Sequence, residues 1–120
     1  MEMTFMANAH YDLIKARNGQ YHFILKAGNG EIILTSEMYA SKASAENGIS
    51  SVQSNVAEEN QYEIKPSKDG QFYFVLKAKN HQVIGVSEMY TTLSAAKKGV
   101  QSVIKNGLSP EIRDLTQQIA

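Results

Sequence analysis

The strongest constraint on the fold is that the chain repeats itself. Gly19-Gln20-Tyr21-His22-Phe23-Ile24-Leu25-Lys26-Ala27 returns, 51 positions on, as Gly70-Gln71-Phe72-Tyr73-Phe74-Val75-Leu76-Lys77-Ala78. The same offset carries Ser36-Glu37-Met38-Tyr39 onto Ser87-Glu88-Met89-Tyr90 and Gly48 onto Gly99. Two copies nearly fill the 120 residues. A unit of this size buries too little apolar surface to be secure alone, so a shared core is expected. The expected organisation is a single domain with repeat one at 11–61, repeat two at 62–112 and an N-terminal tail at 1–10. Thr4-Phe5-Met6 of that tail could add a short edge strand.

Within each copy the period of the apolar residues changes once. Tyr11 and Leu13, like Tyr62 and Ile64, lie on one side of an opening strand. Asn18-Gly19 and Asp69-Gly70 are pairs suited to a type I′ hairpin turn with positive φ at both centres. The next strands place Tyr21, Phe23 and Leu25, or Phe72, Phe74 and Leu76, on the core side. Gly28-Asn29-Gly30-Glu31 makes a second turn. Its counterpart has His81 where Gly30 stood, which suggests less demand there for positive φ. Ile32–Thr35 and Val83–Val86 read as third strands, with Gly85 opposite Leu34 in the alignment marking a bulge or a close contact. Beyond them Ala45, Gly48, Ile49, Val52 and Val56 follow a helical stripe, repeated by Ala96, Gly99, Val100 and Val103. Ser41 and Thr92 are suited to cap these helices and Asn55 and Asn106 to end them, with Gly107 as a left-handed cap. A glycine inside a helix costs about 1 kcal/mol relative to alanine, so Gly48 and Gly99 imply a helix lying close to the sheet. The offset also aligns 62–65 with 113–116, which makes 112–116 a last strand and gives the middle strand to both copies.

The paired Gly-Gln-aromatic strands, Asn29 and Asn80, the Ser-Glu-Met-Tyr boxes and the helices around Gly48-Ile49 and Gly99-Val100 together resemble the small bacterial YegP-like proteins. That family is built from one or two copies of a domain of unknown function. The resemblance covers nearly the whole chain. It implies an α+β fold of two tandem strand-strand-strand-helix(-strand) repeats that share one antiparallel sheet, with two helices packed on one face and terminal strands exchanged between repeats. It implies no activity.

Composition narrows the function from the other side. Twelve basic and twelve acidic side chains cancel, which removes the long-range pull of nucleic acid or an anionic membrane. No cysteine is present, so thiolate catalysis and thiolate metal sites are excluded. His10, His22 and His81 lack metal-ligand spacing, and no phosphate-binding loop or nucleophile elbow appears. No catalytic, metal or cofactor-binding residues are therefore assigned, and no cofactor is expected. Two sets of residues remain as candidates. His22, Ile24, Lys26, Tyr73, Val75 and Lys77 would form a helix-free sheet face more apolar than a bare solvent face, suited to a protein partner or weak self-association. Glu37, Tyr39, Glu88 and Tyr90 would form a polar site where strand hands over to helix, although a carboxylate near a helix start and a tyrosine at a corner also have structural uses. Lys26 and Lys77, with Asn29 and Asn80, could hold an anion. The expected protein is a monomeric cytoplasmic binding or interaction module. The alternatives are a small enzyme working at the boxes and a weak nucleic-acid binder using the two lysines.

Overall fold

Residues 8–117 are described by a computed structural model; the Thr4-Phe5-Met6 strand expected in the tail lies outside the described residues. Alternation and turn chemistry build the same unit twice. Repeat one supplies β1 (His10–Lys15), β2 (Tyr21–Lys26), β3 (Ile32–Thr35) and α1 (Lys42–Asn55). A short 3-10 helix (Glu59–Gln61) leads into β4 (Tyr62–Pro66), β5 (Phe72–Lys77), β6 (Val83–Val86), α2 (Leu93–Asn106) and β7 (Ile112–Asp114).

The hairpin turns differ from the type I′ expectation. Gly19 and Gly70 donate back to Ala16 and Ser67 at 3.0 and 3.3 Å, and φ is positive only at those glycines, at 84° and 83°. Asn18 keeps ordinary backbone because its Oδ1 accepts the Gln20 N–H at 2.9 Å, which favours a three-residue loop ending in a left-handed glycine. In the second turn of each repeat Gly30 takes φ 87° and His81 takes φ 71°. The relaxed turn expected at His81 is therefore corrected: the i to i+3 bond to Ala78 at 2.8 Å imposes the geometry, and the histidine adopts it.

The strands form one sheet in the order β4-β5-β6-β3-β2-β1-β7. All neighbours are antiparallel except β7, which runs parallel to β1. The two repeats are related by a pseudo-two-fold axis where Thr35 of β3 faces its own counterpart Val86 of β6. Both β1 and β7 correspond in sequence to β4, one a repeat length before it and one after, so the axis makes both run opposite to β4 and hence parallel to each other. Among the described residues β4 pairs with β5 alone, so the middle strand is not shared between the copies. The exchange is made by β7, which leaves α2 and joins the edge of repeat one.

Alternation puts Tyr11, Leu13, Phe23, Leu25, Leu34, Phe74 and Leu76 beneath the helices, where they are almost fully buried. Tyr39 stacks on Phe23 at 6.2 Å and Tyr90 on Phe74 at 6.1 Å, each held by a two-way backbone bridge, to Tyr21 and Phe72 respectively. A side chain at Gly48 or Gly99 would collide with the hydroxyl of Tyr39 or Tyr90, which explains the two helical glycines. Ser41 and Thr92 cap the helices, accepting from Ser44 and Ala95 N–H at 3.1 and 3.0 Å. Gly107 is right-handed, φ −72°, and not the left-handed cap expected. It lacks a side chain because a Cβ there would meet Val56 Cγ1 at 2.5 Å.

Candidate functional site

Both helices cover one face of the sheet, and the other face carries the alternate residues of every strand. Their register lines up a row across the pseudo-two-fold axis: Asp12, Ile24, Thr35, Val86, Val75 and Glu63. His22 and Tyr73 stand in the next row, paired with Ile14 and Lys65. Lys26 and Lys77 reach diagonally to the acids at the two ends, with Nζ 3.2 Å from Asp12 Oδ2 and 2.8 Å from Glu63 Oε1. The six residues expected on this face are thus brought together on it. The apolar centre is shallow, since Val75 is only 4% exposed among its neighbours. His22 Nδ1 is buried and has no hydrogen-bond partner among the described residues.

Lys26 and Asn29 line one cleft, but Lys26 and Lys77 already pair with the carboxylates of Asp12 and Glu63. Asn29 and Asn80 each accept the N–H two residues on at 3.0 Å, which is turn chemistry.

The Ser-Glu-Met-Tyr boxes are built into the scaffold. Ser36 and Ser87 hydroxyls accept the Phe23 and Phe74 N–H at 2.9 Å and donate to the Glu37 and Glu88 carbonyls at 2.7 Å. Tyr39 and Tyr90 pack under the helices, and partial burial, then the nearby Glu37 or Glu88 charge, raises their phenol pKa. Glu37 and Glu88 are exposed. Each box therefore contributes a strand end, a core anchor and an exposed glutamate.

A charged cluster at the first end of the row was missed from the sequence. Asp12, 5% exposed, lies 3.2 Å from His10 Nε2 as well as from Lys26, and Arg113 of β7 stands beside it in register. Together with the β2–β3 turn these residues line a cleft of about 440 Å³. A signal was present: Asp12 and Lys26 have Glu63 and Lys77 as their repeat counterparts, so the acid–lysine pair is duplicated although the histidine is not.

The description Domain of unknown function (DUF1508) matches this architecture twice, over residues 16–63 and 67–114. The chain belongs to the DUF1508 family. Among DUF1508 relatives, it is 69% identical over 111 residues to the UPF0339 protein YegP of Yersinia pestis, covering 92% of this chain and 99% of that one. It is 53% identical to UPF0339 protein YegP of Escherichia coli (strain K12), over 88% of this chain and 96% of that one. The solution NMR structure of a UPF0339 protein from Shewanella oneidensis superposes with a TM-score of 0.87 at 49% identity, over 94% of this chain and 95% of that one. The solution NMR structure of yegP from E. coli, described as a protein of unknown function, gives 0.89 at 48% identity, over 97% and 100%. These DUF1508 likenesses establish family and fold and indicate no specific function. Among the described residues no helix is long and apolar enough to cross a membrane.

Proposed function

We propose that this chain is a non-enzymatic protein-interaction module of the bacterial cytoplasm, a monomer that docks another protein on its helix-free sheet face. The observation that carries the reading is the continuous row Ile24, Thr35, Val86 and Val75 across the pseudo-two-fold axis. An apolar centre flanked by residues whose charges are already paired suits a partner with an apolar patch, since little charge must be stripped of water on contact. Because Val75 is nearly covered by its neighbours, the area left to bury is small, which supports a transient complex over an obligate dimer. The formal charge of zero adds no steering toward polyanions.

Native mass spectrometry of the purified protein is expected to give the monomer mass. Proteins recovered with it are then identified and titrated against the wild type and against Ile24→Glu, with circular dichroism as the folding control. A partner whose affinity falls at least tenfold with Ile24→Glu supports the reading. A stable homodimer, or a partner indifferent to that change, overturns it.

A further inference from the structure

The internal repeat allows one edge of the sheet to be compared with the other, and the two are not equally covered. On repeat one, β7 lies along β1: Tyr11 N–H donates to Glu111 O at 2.9 Å and Leu115 N–H to Leu13 O at 2.8 Å. Tyr11 and Leu13 are consequently 0% and 1% exposed. On repeat two the counterparts are Tyr62 and Ile64 of β4, and among the described residues no strand pairs with the outer side of β4. Both side chains are only partly buried, and with α2 they line a cleft of about 430 Å³. Among the described residues there are thus two equivalent grooves and one strand of the β7 kind. Copies of this chain cannot fill both grooves by exchanging β7, because every exchange leaves one groove over.

The second groove also differs in chemistry from the one β7 fills. β7 runs antiparallel to α1: Gln53 Nε2 donates to Ser109 O at 2.9 Å, and Lys42 Nζ meets Asp114 Oδ2 at 2.6 Å. The eleven helical residues between those contacts span about 17 Å, as do the five strand residues, so one helical turn corresponds to about two residues of strand. On α2, Leu93 stands where α1 has Lys42, while Lys97 and Lys98 stand where it has Glu46 and Asn47. The cation has moved one turn along the helix. The matching carboxylate on an incoming strand therefore moves two residues, from the place of Asp114 to that of Ile112, and an apolar side chain takes the place of Asp114 against Leu93 and Ile64.

We propose that the groove between β4 and α2 binds an extended segment of another protein, parallel to β4, that presents a carboxylate and, two residues later, an apolar side chain. Backbone bonding comes from Ile64, whose N–H and C=O point outward as those of Leu13 do toward β7. Pro66 lacks a donor and the Tyr62 N–H is held by Glu59 O, so the usable edge is short, which fits a segment of β7 length and disfavours edge-to-edge pairing of two copies. This surface lies on the helix side at the sheet's end, apart from the helix-free face, and stands or falls separately from it.

The test uses the full chain, labelled with nitrogen-15, and two synthetic eight-residue peptides. One copies residues 109–116, and the other copies them with Ile112→Glu and Asp114→Leu. The exchanged peptide is expected to shift the amides of Ile64 and the exposed side of α2 and to bind about tenfold more tightly than the native copy. The surface variant Lys97→Glu/Lys98→Glu, at two exposed residues, is expected to abolish that preference. The proposal is overturned by equal binding of the two peptides, by shifts confined to β1 or the helix-free face, or by no shifts at millimolar peptide. It is also overturned if removing residues 1–7 moves the Ile64 amide, since the chain would then fill its own groove.

Discussion

His81 is the non-glycine residue among those described that holds a left-handed backbone, at φ 71°, in a turn whose counterpart uses Gly30. The αL conformation costs an ordinary residue about 1–2 kcal/mol, and glycine returns part of that through its greater freedom in the unfolded chain. His81→Gly is accordingly expected to raise unfolding stability by about 0.5–1 kcal/mol, read from urea denaturation at unchanged slope. The position illustrates what the sequence conceals. Comparison of the repeats located the turn, but the residue substituted in it suggested a gentler geometry, because one side chain cannot report the i to i+3 hydrogen bond that sets φ. The helical glycines were legible for the opposite reason. Gly48 and Gly99 are expensive in a helix unless something needs the space, and the hydroxyls of Tyr39 and Tyr90 occupy it. The same tyrosines, beside Glu37 and Glu88, admit both a polar site and a structural corner in the sequence; their stacking on Phe23 and Phe74 packs them against the core.

Strands and helices are tied across the repeats by a reciprocal pair of tyrosines. Tyr11 of β1 donates to Gly107 O at the end of α2 at 2.6 Å, and Tyr62 of β4 donates to Val56 O at the end of α1 at 2.7 Å. Burial pushes both phenols well above their usual value near 10. A folded-state pKa raised above the unfolded one favours the fold fully below about pH 10 and progressively less above it, as the unfolded chain alone releases the proton. Stability is therefore expected to fall steeply above pH 10. Tyr11→Phe should cost about 1–3 kcal/mol at neutral pH by leaving the Gly107 carbonyl without this donor, while flattening that alkaline limb in denaturation curves taken across pH. Of the elements themselves, the seven strands and two α-helices among the described residues follow from alternation, the stripe and the offset of 51. The unequal edges do not, because sequence alignment pairs β4 with both β1 and β7 and leaves open which neighbour each takes.

The molecule as a whole is a dimer of repeats written in one chain, and equivalent residues that meet near its axis differ between the repeats. Leu34 lies against Gly85, where an added Cβ would stand 2.5 Å from Leu34 Cδ2, and Val56 lies against Gly107 in the same way. Gly85→Leu is expected to destabilise the protein by about 1–3 kcal/mol through overpacking, and Leu34→Gly by about 2–5 kcal/mol through the cavity it leaves. The exchange Leu34→Gly/Gly85→Leu should recover most of both losses, a coupling measurable as a double-mutant cycle in chemical denaturation. Two glycines facing branched side chains have a longer consequence. Two first repeats brought together would drive leucine into leucine and valine into valine, and two second repeats would face each other across gaps. Each half therefore fits the other and not a second copy of itself, so a chain divided between the repeats is expected to give halves that partner one another but not themselves.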